Sequence, residues 1–267
     1  MELELSGRVA VVTGASKGIG LAIVQTLVAE GARVVAASRT RTPALFELGD
    51  DVLHVEADLM HPDAPTEIIA RAVESFGGVD ILVNNAGGPP PGDTLPHGGF
   101  LQRSDDDWRG ILDFNLMTAV RACRAALPLL IEREGGAIVN VSSAHGKQPA
   151  PMTVDYSASK AAMTNLTKAL AMEFGPQGVR VNVVSPGATR TPWWTEEGGA
   201  ADVIATQAGA DREGVMATLV PEMMQLTTGR LVEAQEIADA VAWLASPRAG
   251  SMSGAEIVVD GGFLKTI

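Results

Sequence analysis

The chain has one cysteine and one tyrosine among 267 residues, and only 4% of it is aromatic. A lone cysteine rules out an internal disulfide and cannot by itself build a structural zinc site. Cys123, in Ala119-Val120-Arg121-Ala122-Cys123, reads as a small buried helix residue. His54, His61, His97 and His145 lack ligand spacing, so no catalytic metal is expected. Positive charge is also scarce. Lys and Arg number 20 against 32 Asp and Glu, a net charge of -12, which leaves no basic stripe for nucleic acid or anionic lipid. No apolar run of membrane-spanning length stands out, and Met1-Glu2-Leu3-Glu4-Leu5 has no signal or anchor pattern, so the expected location is the cytoplasm.

Apolar residues are plentiful, at 46% of the chain, enough for one large core. Apolar runs at Arg8–Thr13, Arg33–Ala37, Val52–Val55, Ile81–Asn84, Ala137–Val141, Val179–Val184 and Glu256–Val259 predict strands. Helical patterns fill most gaps, including Asp105–Arg133, Ser157–Phe174 and Glu233–Ala245. This alternation predicts one α/β domain over 1–267, a doubly wound, mainly parallel seven-stranded sheet with helices on both faces. Such sheets bind ligands at the C-terminal strand ends, where Gly14, Asn85, Ser143 and Pro186 each follow a strand.

The single tyrosine marks the chemistry. In Tyr156-Ser157-Ala158-Ser159-Lys160 a phenol and an ammonium stand at i and i+4, on one face if the segment is helical. A free phenol ionises at about pH 10, and a nearby cation lowers that toward neutrality. The pair reads as a tuned general acid or base, although the spacing alone also fits an ordinary surface helix. Gly14-Ala15-Ser16-Lys17-Gly18-Ile19-Gly20 lies between a buried-strand run and the helical Leu21–Val28. Its glycines permit a tight turn and close approach, and the helix start offers N–H groups and a positive dipole end to a pyrophosphate. The second strand ends in Ser38-Arg39 with no carboxylate to grip a ribose 2′-hydroxyl. Arg39, with Lys17 in the glycine turn, suits a 2′-phosphate, which makes NADP(H) the expected cofactor.

Thr13-Gly14-x-x-x-Gly18-x-Gly20, Asn84-Asn85-Ala86-Gly87, Ser143, Tyr156-x-x-x-Lys160 and Pro186-Gly187 stand in the order found in the short-chain dehydrogenase/reductase family. The chain resembles that family from Leu5 to its Val259-Asp260-Gly261-Gly262 ending. The resemblance implies a Rossmann-like fold and hydride transfer between nicotinamide and a carbonyl or secondary alcohol. It implies that Tyr156 is the acid or base, that Lys160 lowers its pKa and bonds the nicotinamide ribose, and that Ser143 rather than Ser142 holds the substrate oxygen. Asn115 matches the helix asparagine that anchors a proton-relay water. Cofactor contacts are implied for Gly14, Ser16, Lys17, Gly18, Ile19 and Gly20, for Ser38 and Arg39, and for Asp58, at the adenine, with Leu59. They are also implied for Asn85, Ala86 and Gly87, for Tyr156 and Lys160, and for Pro186, Gly187, Thr189 and Thr191. The family further implies a homotetramer, with a dimer as the alternative, joined through the helices around Asp105–Arg133 and Ser157–Phe174 and the segment near Phe263.

The substrate is less legible. Gly87-Gly88-Pro89-Pro90-Pro91-Gly92 through His97-Gly98-Gly99-Phe100 is a stiff Pro/Gly loop. By the same resemblance, residues at about 190–228 form a substrate lid, here carrying Trp193, Trp194, Met216, Met223 and Met224. These side chains fit a sizeable apolar or cyclic ketone, or else pack the lid onto the core or another subunit. His145 and Gln148 are further candidates for the substrate pocket. Reductases of 3-oxoacyl groups on acyl carrier protein also resemble the chain, but they use basic side chains near the positions of Glu134 and Gln177, and neither is basic here. A non-catalytic NADP(H)-sensing protein is the remaining alternative.

Overall fold

The computed structural model describes residues 2–90, 99–133 and 135–265; most of the Pro/Gly loop, with His97, and the Glu134 position lie outside them. Seven strands, β1 (Val9–Thr13), β2 (Arg33–Ser38), β3 (Val52–Glu56), β4 (Ile81–Asn84), β5 (Ala137–Val141), β6 (Arg180–Pro186) and β7 (Glu256–Val259), form one sheet. All pairings in it are parallel, in the order β3-β2-β1-β4-β5-β6-β7. The order reverses between β1 and β4, so the loops leaving these strands part and open a crevice at their C-terminal ends.

The strands are apolar on both sides because both faces are covered. Within β1, Val9 and Val11 enter one core while Ala10 and Val12 enter the other. On one face Ile23 and Leu27 of α1 (Gly18–Ala29) join Ile237 and Val241 of α5 (Ala234–Ala245). On the other, Ile68 of α2 (Ala64–Phe76), Ala126 and Leu130 of α3 (Asp105–Glu132) and Ala171 of α4 (Val154–Phe174) share a second core.

Two helices depart from the sequence expectation in ways that bear on the site. The helix expected over Asp105–Arg133 is α-helical at Asp105–Leu112 and Thr118–Glu132 but a π-helix over Asp113–Met117, with Asn115 at its centre. A π turn slips the apolar pattern by only one residue, so periodicity does not reveal it. By length and composition α3 also reaches membrane-spanning size, contrary to expectation, yet Ala122, Cys123, Ala126, Leu127 and Leu130 are buried within the domain. The second helix, α4, starts at Val154 rather than Ser157, which places Tyr156 and Lys160 together in its first turns.

A line of buried amides fastens α4 to the sheet. Asn84 Nδ2 donates to Asn140 Oδ1 at 2.8 Å, Asn140 Nδ2 donates to Thr167 Oγ1 at 2.8 Å, and Thr167 Oγ1 donates to Met163 O at 2.9 Å. Asn140→Ala removes the middle of this line and leaves the buried Asn84 amide without its oxygen partner. Urea unfolding of that variant is expected to show a loss of about 1–3 kcal/mol.

Candidate active site

The crevice begins with a laced turn. Thr13 Oγ1 accepts the backbone N–H groups of Asn85 and Ala86 at 3.0 and 3.1 Å, while Asn85 Nδ2 donates to Thr13 O and Gly14 O at 2.9 and 3.1 Å. The Asn85 side chain, expected at the cofactor, is thus occupied in holding the glycine turn against the end of β4. A Cβ at Gly20 would stand 2.1 Å from Gly14 O and 2.5 Å from Asn85 Nδ2, so only glycine fits. Ser16 O accepts from Thr42 Oγ1 at 3.1 Å, and Ile19 packs against the first core. Helix α1 then starts with no side-chain cap from Lys17 and no acidic residue in its first turn. Its first N–H groups and positive dipole end face the crevice, a donor set that fits a pyrophosphate.

Near the end of β2, Ser38 and Lys17 each meet a partner within the chain. Ser38 is buried, its hydroxyl donating to Thr40 O at 2.9 Å and meeting His54 Nε2 at 3.0 Å, so it points into the protein. Lys17 pairs with Glu196 of the 190–228 segment at 2.9 Å; both are largely exposed, so the pair contributes little. Arg39 is exposed, with no ion pair or hydrogen bond to its guanidinium among the described residues. Asp58 is exposed and accepts the Met60 N–H at 3.0 Å, while Leu59 is buried in the second core.

Four expected catalytic residues converge beyond β4 and β5. The Ser143 hydroxyl lies near enough to the Tyr156 phenol to favour its ionised form, and it accepts the His145 N–H at 3.1 Å. Neighbouring Ser142 turns inward, donating to Lys160 O at 2.8 Å. Lys160 is buried, its Nζ donating to Val141 O at 2.9 Å and lying 5.7 Å from the centroid of the Tyr156 ring. Gly87 closes over it, since a Cβ there would stand 2.8 Å from Lys160 Nζ and 2.9 Å from Asn115 Oδ1. Asn115 is fully buried and clamps the next residue, accepting from Gly88 N and donating to Gly88 O, each at 2.8 Å, with Ile111 O at 3.1 Å. Its side chain is therefore occupied.

The direction of the phenol shift is opposite to the one expected from the spacing. Burial pushes Tyr156 above its ordinary value, opposed by the bond from Ser143. Burial also lowers Lys160 to about 8, since no carboxylate accompanies the ammonium. Desolvation of the charged forms outweighs the attraction between them.

The substrate side is formed by chain ends. Asp260 accepts the N–H groups of Gly262 and Leu264, both at 2.8 Å, and turns the C-terminal segment back. Phe263 packs with Ala144 and Leu226 and meets the His145 ring edge-on at 5.5 Å. His145 Nδ1 lies 3.1 Å from the carbonyl of Gln148, whose own side chain is exposed. After Pro186, a Cβ at Gly187 would stand 2.7 Å from Asp260 Cα. Thr189 is buried and donates to Gly187 O at 3.0 Å, whereas Thr191 lies beside Gly18, 3.3 Å from where a Cβ would be. Trp194 and Met224 pack on a core of the segment's own, around buried Val215, Met216, Val220 and Leu231, which leaves Trp193, 41% exposed, as its free indole. Sequence reasoning missed Phe263 as a wall of this pocket, though the Asp260-Gly261-Gly262 turn before it was a usable signal. It also missed Asp155 and Arg103, which no motif marks.

Comparison with known proteins agrees with this geometry. The family model for short chain dehydrogenases matches residues 8–201. The 3beta-hydroxysteroid dehydrogenase 1 of Eggerthella lenta is 36% identical over 97% of this chain and 94% of its own. The 3-oxoacyl-[acyl-carrier-protein] reductase of Vibrio cholerae is 35% identical over 97% of this chain and 98% of its own. The crystal structure of L-sorbose reductase from Gluconobacter frateurii, complexed with NADPH and L-sorbose, matches with a TM-score of 0.90 at 33% identity and covers 100% of both chains. With a family match over most of its length and relatives of this identity end to end, the chain belongs to the short-chain dehydrogenase/reductase family of oxidoreductases.

Proposed function

We propose that this protein is an NADP(H)-dependent reductase of a sizeable apolar or cyclic ketone, able to run the reverse oxidation. The observation that carries the reading is the Tyr156 ring with buried Lys160 Nζ 5.7 Å from its centroid and Ser143 nearby, in the same crevice as an uncapped helix start. The α1 start and Gly14 to Gly20 would hold the pyrophosphate, Arg39 the 2′-phosphate, Asp58 the adenine, and Lys160 the nicotinamide ribose. When bound, the reduced nicotinamide supplies the hydride. Tyr156, a protonated phenol at neutral pH, gives its proton to the substrate oxygen, and the Ser143 hydroxyl steadies the negative charge growing there. The Lys160 ammonium stabilises the phenolate left behind, and a water on the Asn115 carbonyl restores the proton.

His145, Phe263, Leu226 and Trp193 give the substrate side an apolar, ring-stacking character. The hydroxysteroid dehydrogenase relative supports a cyclic substrate, whereas the L-sorbose reductase neighbour acts on a polar sugar. The 3-oxoacyl thioester reading draws on the Vibrio relative; an exposed, uncharged Gln177 and a net charge of -12 oppose it for an acidic carrier. Residues 190–228 serve as the lid of this single domain, and exposed Met172 on α4 favours assembly through that helix into a homotetramer.

Three outcomes test the reading by initial rates of NADPH oxidation across aliphatic, cyclic, aromatic and thioester ketones. Tyr156→Phe is expected to lose about 10²–10⁴-fold in turnover while still binding NADPH; unchanged turnover would remove Tyr156 as the acid. Arg39→Ser is expected to raise the KM for NADPH about 10- to 100-fold and to leave that for NADH unchanged. Reduction is expected to be fastest while Lys160 is charged and to decline as pH rises through about 8, and this inflection should vanish in Lys160→Met. An inflection that persists there would assign it to another group.

A further inference from the structure

Arg103 Nε lies 3.2 Å from Asp155 Oδ2, and the two side chains are 10% and 2% exposed. The other Asp155 oxygen accepts the backbone N–H of Tyr156 at 2.8 Å. Arg103 directly precedes Ser104, which caps α3 through a capping box with Asp107. The ion pair thus joins the root of the helix that carries Asn115 to the first turn of the helix that carries Tyr156 and Lys160. At that first turn Thr153, the N-cap of α4, supplies no side-chain cap, so the Asp155 carboxylate holds an N–H group that the helix itself leaves unpaired. A buried ion pair brings little net stability, because desolvation offsets the Coulomb attraction; its best attested use is to select one arrangement among several.

We propose that Arg103 and Asp155 are positioning residues that set the Tyr156 phenol against Ser143. The effect on turnover rests on the reductase reading, whereas the effect on placement does not. A displacement of the phenol by a fraction of an ångström weakens proton delivery without touching the glycine turn or Arg39, so the change falls on kcat rather than on the KM for NADPH.

The sole tyrosine makes the test direct. Full-length protein with 3-fluorotyrosine at position 156 gives one fluorine resonance, whose shift reports the surroundings of that ring. Arg103→Gln and Asp155→Asn are each expected to move this resonance and to lower kcat about 10- to 100-fold with the KM for NADPH unchanged. Arg103→Lys, which keeps the charge, is expected to recover part of the rate. The double variant Arg103→Gln/Asp155→Asn buries no lone charge, so it is expected to melt close to the wild type while its resonance stays displaced. A folded double variant with the wild-type resonance and kcat would overturn the proposal. So would single variants that raise the KM for NADPH and leave kcat alone. A wild type that reduces no carbonyl, with the resonance still moving in the variants, would overturn the reductase reading and leave the positioning role standing.

Discussion

Burial of the Lys160 ammonium is the constraint on which the rest of the site depends. An ammonium taken from water with no carboxylate beside it is costly, and the structure answers with Val141 O at 2.9 Å and a pocket open only where Gly87 lacks a side chain. That pocket exists because β5 delivers Val141, β4 delivers Gly87, and the Asn115 amide clamps Gly88 from both sides. The π turn of α3 carries that amide, so a helical irregularity invisible to periodicity is tied to the reacting groups. Single-turn π segments of this kind recur at functional sites.

The cofactor side is built with the same economy of side chains. One threonine and one asparagine lace the glycine turn to β4, and the helix start is left without acid or cap, so the backbone itself becomes the binding surface. Ser38 is turned inward onto Thr40 O and His54, while Arg39 at the end of β2 is exposed.

The fold was legible because each strand is a short apolar run and each helix a periodic one, and every run lies where the sheet places it, to within two residues. Tyr156 and Lys160 stood out as a pair because the chain has a single tyrosine, followed at i+4 by lysine, whereas Ser143 and Asn115 were marked only by the family resemblance. What stayed hidden depends on burial and on partners distant in sequence. The spacing of Tyr156 and Lys160 shows that they share a face, but not that Lys160 is buried and the phenol partly so, which shifts the phenol up rather than down. Composition left Trp194 and Met216 open between substrate contact and packing of the lid, and they pack the core of their own segment. Arg103 and Asp155 stand 52 positions apart, and nothing local announces that they meet.

The most direct test of this account is a near-ultraviolet titration of the wild type, with Tyr156→Phe as the blank, because no other tyrosine contributes. The tyrosinate band is expected only above the ordinary phenol value of about 10, showing that burial outweighs the neighbouring lysine in the ligand-free protein. A band that develops near neutral pH would contradict it and restore Lys160 as the group that sets the phenol.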